Sequence, residues 1–276
     1  MKKEFIRMVC SIWFVLGVCF TFGLCFFSEI VMGDGSGATI VQILQDMSRS
    51  QMAQEPQLLK AVALRNTFSG YVTLFVPVIS ALPMIQILHT EAQSGYKRLY
   101  MSRKSRREYY WGKWIAGMLT GAFMLLFVAV LFHVFMALTI PQIDAEVLEM
   151  FGHTPEGRVL DFIKVYIGIF VYGAFSVIPA MIISSFTGNF YFVICLPFMF
   201  SYFWDVAMSS IARFLRGHEG LETLSTIPEY FFSRDYLNIA ESGREVLVEG
   251  GRALVSLAVM FLIYYVYLNR RNDCGE

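Results

Sequence analysis

The sequence predicts an all-α membrane protein of six transmembrane helices, and three observations carry that prediction. Its composition suits lipid as the main solvent: of 276 residues, 56% are hydrophobic and 16% charged, where a water-soluble domain carries about a quarter charged residues. Six apolar stretches are suited to crossing a bilayer, which takes about 20 residues at 1.5 Å per residue over roughly 30 Å of hydrocarbon. Lys and Arg crowd onto one set of connections, as the cytoplasmic loops of membrane proteins do.

The spans fall approximately at 8–27, 68–88, 114–138, 162–183, 190–207 and 253–267, the fifth and sixth being the shortest. Lys2, Lys3 and Arg7 precede the first in the manner of a signal peptide. The run is longer than a usual signal core and no small-x-small cleavage site follows, so it reads as an uncleaved span. Ser105-Arg106-Arg107-Glu108 is a capping-box pattern that starts the third helix before Tyr109, Tyr110, Trp111 and Trp114 reach the interface belt. Thr154-Pro155 offers an N-cap followed by proline at the first helical position for the fourth. Pro77, Pro83, Pro179 and Pro197 lie inside spans and are expected to bend them.

With the N-terminus in the cytoplasm, the inner side holds 12 of the 22 basic residues and 5 of the 22 acidic ones. The connection 89–113 contributes seven of those cations, Lys97, Arg98, Arg103, Lys104, Arg106, Arg107 and Lys113, against Glu91 and Glu108. The loop after the third span is acidic (Asp144, Glu146, Glu149, Glu156, Asp161), which suits the outside. Both termini are therefore expected inside a cell (plasma) membrane, although five arginines between the fifth and sixth spans then lie outside. Residues 34–66 read as a polar external loop with a helix around 40–47, and 213–250 as an external segment of short helices.

Several chemistries are not indicated. Zero net charge argues against a strongly basic nucleic-acid binder. The five cysteines (Cys10, Cys19, Cys25, Cys195, Cys274) have no C-x-x-C spacing, and His89, His133, His153 and His218 have no metal-ligand spacing. No phosphate-binding G-x-x-x-x-G-K-[ST] occurs, since Gly33-Asp34-Gly35-Ser36-Gly37 lacks the lysine. Neither a resident cofactor nor a catalytic set is expected in this chain.

The connection from His89 to Lys113 holds the most specific pattern. An acid just past a span is followed by Gly four residues on, a basic-aromatic stretch, Ser-Arg-Arg, and a Lys entering the next span. With Glu91, Gly95, Ser105, Arg106 and Lys113 at those places, the segment resembles the permeases of the ABC type-two export family. Six spans with both ends inside and a very short fourth-to-fifth turn (184–189) extend the resemblance to the topology of the whole chain. One departure is that only seven residues precede the first span, where many members begin with an amphipathic helix lying on the membrane.

The resemblance implies a cytoplasmic coupling helix after the second span, docked in a groove of a separate ABC ATPase subunit that binds ATP and Mg. Glu91 would pair with a basic residue of that subunit, and Gly95 would let the chain turn without a Cβ clash. Tyr96, Arg98, Arg103, Arg106 and Arg107 would face acidic groups of the partner or anionic lipid. It also implies a second permease subunit, identical or similar, to complete the translocation path, and a 213–250 segment that caps the exit.

Four further residues stand out in the spans. Asp205, flanked by Tyr202, Phe203 and Trp204, lines a path, sits at the interface, or pairs with Arg213. His133 lines a polar path or hydrogen-bonds a neighbouring helix. Gly117 and Gly121 share a face that permits close helix contact, within the chain or between two chains. A non-transporting membrane partner (sensor, immunity or assembly protein) would keep the topology without a polar path, and a membrane-embedded enzyme would need paired carboxylates or a nucleophile–base set.

Overall fold

The computed structural model describes residues 2–32, 36–69, 71–103, 105–143, 155–187, 189–217, 237, 254–255 and 257–266. The first apolar run is not one straight helix. It divides into α1 (Lys2–Val9) and α2 (Ile12–Phe27), bent by 56°. Ser11 makes the break: its hydroxyl donates to the Met8 carbonyl (2.7 Å) and accepts from the Phe14 amide (3.2 Å), closing one helix and opening the next. The short amphipathic helix that the sequence lacked room for is thus present, made from residues assigned to its flank and first span.

A small cap follows α2. Strands β1 (Glu29–Val31) and β2 (Gly37–Thr39) pair antiparallel, Ile30 opposite Ala38, and this hairpin is a departure from the all-α expectation. Thr39 with Gln42, and Ser48 with Gln51, form reciprocal capping boxes that start α3 (Ile40–Asp46) and α4 (Arg49–Gln54). After a 3₁₀ turn at Pro56–Leu58 comes α5 (Lys60–Ser69). The expected polar loop is therefore a packed element: Ile30, Ile40, Ile43, Met52, Leu58 and Leu64 are buried and continuous with the upper bundle core.

The second span is α6 (Tyr71–Ile79) and α7 (Leu82–Gln93), and the fourth is α10 (Pro155–Ser176) and α11 (Ile178–Phe186). Each interruption precedes a proline in the first turn of the continuing helix, Pro83 and Pro179, where the missing amide hydrogen is harmless. The two interruptions lie side by side, with the Ser80 and Ser176 hydroxyls 2.8 Å apart. Each hydroxyl also has a carbonyl of its own helix in reach, so one serine donates to the other and its partner to backbone, and neither is left unpaired in an apolar setting.

The third span, α9 (Arg106–Thr139), is 34 residues long and unbroken. At about 1.5 Å per residue it reaches some 50 Å, beyond the hydrocarbon thickness, so one end extends past the apolar layer. Its N-cap is Ser105, whose hydroxyl accepts from the Glu108 amide at 3.3 Å. Helix α9 packs against α10, α1, α2, α5 and α7 and is the spine of the bundle. The fifth span, α12 (Phe190–Arg216), starts at the Asn189 cap and runs nine residues past the expected end at Ala207.

Among the described residues, four stretches are long and apolar enough to cross a membrane: Val72–Glu91, Arg107–Thr139, Val159–Ser184 and Phe190–Arg216; the bent pair α1–α2 makes up to five. In the expected sixth span the described residues form a shorter apolar helix, α13 (Leu257–Val266). Of the segment 213–250, only 213–217 and 237 are described, and Thr154, the expected cap of α10, lies outside the described residues.

Candidate functional site

The site is built where α7 ends. Helix α7 continues three turns past its proline and stops at Ser94, after which Gly95 adopts φ +67°. That left-handed conformation favours glycine on backbone grounds alone, because nothing lies within 4 Å of where a Cβ would stand. The chain then re-forms as α8 (Tyr96–Arg103) and enters α9 at the Ser105 cap. A short helix hung between two spans is the result.

Beneath it is a buried ion cluster. Glu91, with a side chain 2% exposed, accepts three bonds: from the Lys113 ammonium at 2.6 Å, the Arg7 guanidinium at 3.0 Å and the Tyr109 hydroxyl at 2.8 Å. Lys113 is 1% exposed and donates also to Glu4. Two carboxylates face two cations, so the cluster is neutral as a group. This is how such charges are tolerated, since an unpaired buried ion costs several kcal/mol. The Glu91 carboxylate is engaged by the chain's own α1 and α9 and is buried between them.

Tyrosines extend the cluster sideways. Tyr96, Tyr100, Tyr109 and Tyr110 follow one another with ring centroids 5.9, 5.3 and 5.5 Å apart, and Tyr110 meets Tyr264 of α13 at 6.0 Å. Burial, then the nearby carboxylates Glu4 and Glu91, push the Tyr96 phenol above its ordinary value. On the open side, Leu99 is 64% exposed, and Ser102 and Arg107 are also exposed. Arg98 and Arg103 lie in α8 and Arg106 opens α9, with their side chains outside the described residues.

A model of the family described as ABC-2 family transporter protein matches residues 1–270. The chain belongs to that family. No curated protein and no solved structure matches it. For this ABC-2 family member, membership means a transport membrane component, with the general expectation of an ABC ATPase partner and no catalytic centre of its own.

The residues singled out inside the ABC-2 bundle are scattered. Gly117 and Gly121 face the chain's own helices: a Cβ on Gly121 would stand 2.3 Å from Val177 and 2.6 Å from the Gly173 carbonyl, and one on Gly117 would stand 2.6 Å from the Met84 sulfur. His133 hydrogen-bonds the Tyr166 hydroxyl through Nδ1 and stacks on Phe162 at 4.5 Å, joining α9 to α10. Asp205 is half-buried on α12 beside Thr73 of α6, and the Arg213 Nε–H donates to the Ser209 carbonyl. Sequence reasoning placed Lys113 in the motif, Arg7 among the N-terminal cations and Tyr109 in the interface belt, but joined neither these nor Glu4 to Glu91. The available signal was Lys113, an ammonium seven residues into a helix headed for lipid, which demands a carboxylate.

Proposed function

We propose that this chain is the permease half of an ATP-driven ABC exporter, coupled to a separate ATPase subunit through residues 89–113. The observation that carries the reading is the buried Glu4–Arg7–Glu91–Lys113 cluster, which joins α1, the end of α7 and the start of α9 directly behind α8. A push on α8 reaches three helices at once through such a knot. Without it, a short helix on two loops would absorb the motion.

In this reading Glu91 acts as the internal anchor of α8. The outer face of α8, with Leu99 exposed, together with Arg107 and the neighbouring basic residues, meets the ATPase. ATP and Mg bind on that subunit. Closure of two such subunits drives α8 and the attached helices, switching access to a path between this chain and a second permease chain, identical or similar. The termini and 89–113 are cytoplasmic, and the protein resides in the cell membrane.

The test is co-expression of the full chain with an ABC ATPase subunit and capture through a tag on the chain. Capture with lipid-dependent ATP hydrolysis is the expected outcome, lost in Leu99→Asp while the variant still elutes as a folded protein. If Leu99→Asp retains both capture and hydrolysis, the docking surface is wrong.

A further inference from the structure

The buried apolar residues of the bundle form two cores, and three spans cross from one to the other. The second span leaves the core under the cap at Ile79 and enters the core beside α8 at Ala81. The fourth crosses between Tyr172 and Phe175, and the third between Met124 and Ala116. Small and hydroxylated residues fill the layer between the cores. Ser80 and Ser176 meet there at 2.8 Å, and α9 passes them at Gly121. A Cβ on Gly121 would stand 2.6 Å from the Gly173 carbonyl and 3.4 Å from the Ser80 Cβ, and one on Gly173 would stand 2.7 Å from the Gly121 carbonyl.

The second and fourth spans are weakened at this layer in the same way. Ser80-Ala81-Leu82-Pro83 and Ser176-Val177-Ile178-Pro179 each place a proline three residues after the serine. Neither proline can supply the helical hydrogen bond to the carbonyl four residues earlier, so each span bends most easily here. Ala81 (φ −86°, ψ −18°) and Val177 (φ −77°, ψ −23°) keep helical dihedrals, so a small change bends either span without unwinding it. The serine contact also parts at little cost. The Val76 carbonyl lies 2.6 Å from the Ser80 hydroxyl and the Gly173 carbonyl 2.8 Å from the Ser176 hydroxyl. Separated, each hydroxyl still has a carbonyl of its own helix to accept its proton.

The third span behaves differently, because α9 is unbroken over 34 residues and Gly121, its sixteenth, stands near the midpoint. One arm is tied to the end of α7 through Lys113 and Glu91. The other packs under the cap, where the Phe132 ring meets Phe22 and Phe26 of α2 at 6.4 and 5.9 Å. At Gly121 and Gly173 two bare backbones touch. No side chains interlock there, so one helix can turn on the other.

We propose that Ser80, Gly121, Gly173 and Ser176 form a pivot, at which the half of the bundle carrying α8 rocks against the half under the cap. Helix α9 is the rigid lever, and the two Ser-x-x-Pro turns are the bending points beside it. What drives the motion rests on the coupling reading above. The pivot rests on this chain alone.

The experiment measures spin-label distances by double electron–electron resonance on the full chain in lipid nanodiscs, in a background where all five native cysteines are serine. Gln45→Cys with Ser102→Cys, on α3 and α8, straddles the layer; Gln45→Cys with Leu138→Cys lies on the cap side of it. The straddling pair should give the broader distribution. Pro83→Ala/Pro179→Ala should narrow it to about half its width, because the restored amide hydrogens straighten both helices, and should leave the control pair unchanged. Each single proline variant should narrow it in part, which keeps the test if the double variant does not elute as a folded protein. A straddling distribution as narrow as the control in the parent, or unchanged in the proline variants, overturns the pivot. Trapping a captured ATPase with ATP and vanadate should shift the straddling distance. A distribution that narrows in the proline variants yet ignores the trapped ATPase leaves the pivot and removes the coupling reading.

Discussion

The Lys113 ammonium lies 2.6 Å from Oε1 of Glu91, 22 residues earlier in the chain, with both side chains almost wholly buried. Removing the cation strips both Glu91 and Glu4 of an ion partner and, among the described residues, leaves the half-exposed Arg7 on Glu91. Lys113→Met should therefore destabilise the protein by about 3–5 kcal/mol, the usual cost of stranding a buried charge. The double variant Glu91→Gln/Lys113→Gln should lose less than the two single losses added together. Thermal unfolding in detergent followed by tryptophan fluorescence measures all three. Strict additivity would mean that the pair does not interact.

Gly121 offers a packing test with an internal control. Its missing side chain lets α9 approach the Gly173 carbonyl of α10, and a Cβ would stand 2.6 Å from that oxygen. Backbone cannot yield as a flexible side chain does, so Gly121→Ala should cost about 1–3 kcal/mol by overpacking. Gly23 on α2 has nothing within 4 Å of its Cβ position. Gly23→Ala should leave the unfolding midpoint unchanged or raise it slightly. Equal effects at the two positions would contradict the close approach.

These two sites also mark what was legible in the sequence. Apolar runs marked where the long apolar helices lie, because that signal is local; a short helix after the second span was expected from the family resemblance alone. The 56° break at Ser11 was hidden because a single hydroxyl in an apolar run is also compatible with a continuous helix. Residues 34–66 were read as a polar loop with a helix around 40–47, where α3 lies; their packing was hidden because the buried Ile, Leu and Met stand among polar neighbours. Glu91 was assigned outward because its partners Glu4 and Arg7 are more than 80 residues away, and no spacing rule connects them. Long-range pairing of charges is what one sequence conveys least.

Gly95 separates backbone need from packing need. With φ at +67° and empty space around it, alanine meets no clash and only the left-handed strain, about 1–2 kcal/mol. Gly95→Ala should lower ATPase-stimulated activity by re-aiming α8, while Gly95→Asn, which tolerates that conformation better, should retain most of it. Capture of the ATPase and the hydrolysis rate, measured on both variants, check this. A Gly95→Asn variant as impaired as Gly95→Ala would point to a requirement for the bare backbone itself.

The orientation of the whole bundle can be read from two exposed positions at its opposite ends. Ser102 lies on α8 beside the ion cluster, and Gln45 lies on α3 in the cap beyond α2. In a background where Cys10, Cys19, Cys25, Cys195 and Cys274 are all serine, single cysteines are introduced at each position. A membrane-impermeant maleimide added to intact cells should label Gln45→Cys and leave Ser102→Cys unmodified. In inside-out vesicles the pattern should reverse if the seven cations of 89–113 keep that connection on the cytoplasmic side, as the distribution of Lys and Arg predicts. Labelling of Ser102→Cys in intact cells would invert the topology. The ATPase would then have no access to α8, and the coupling role of the Glu91–Lys113 knot would fall with it.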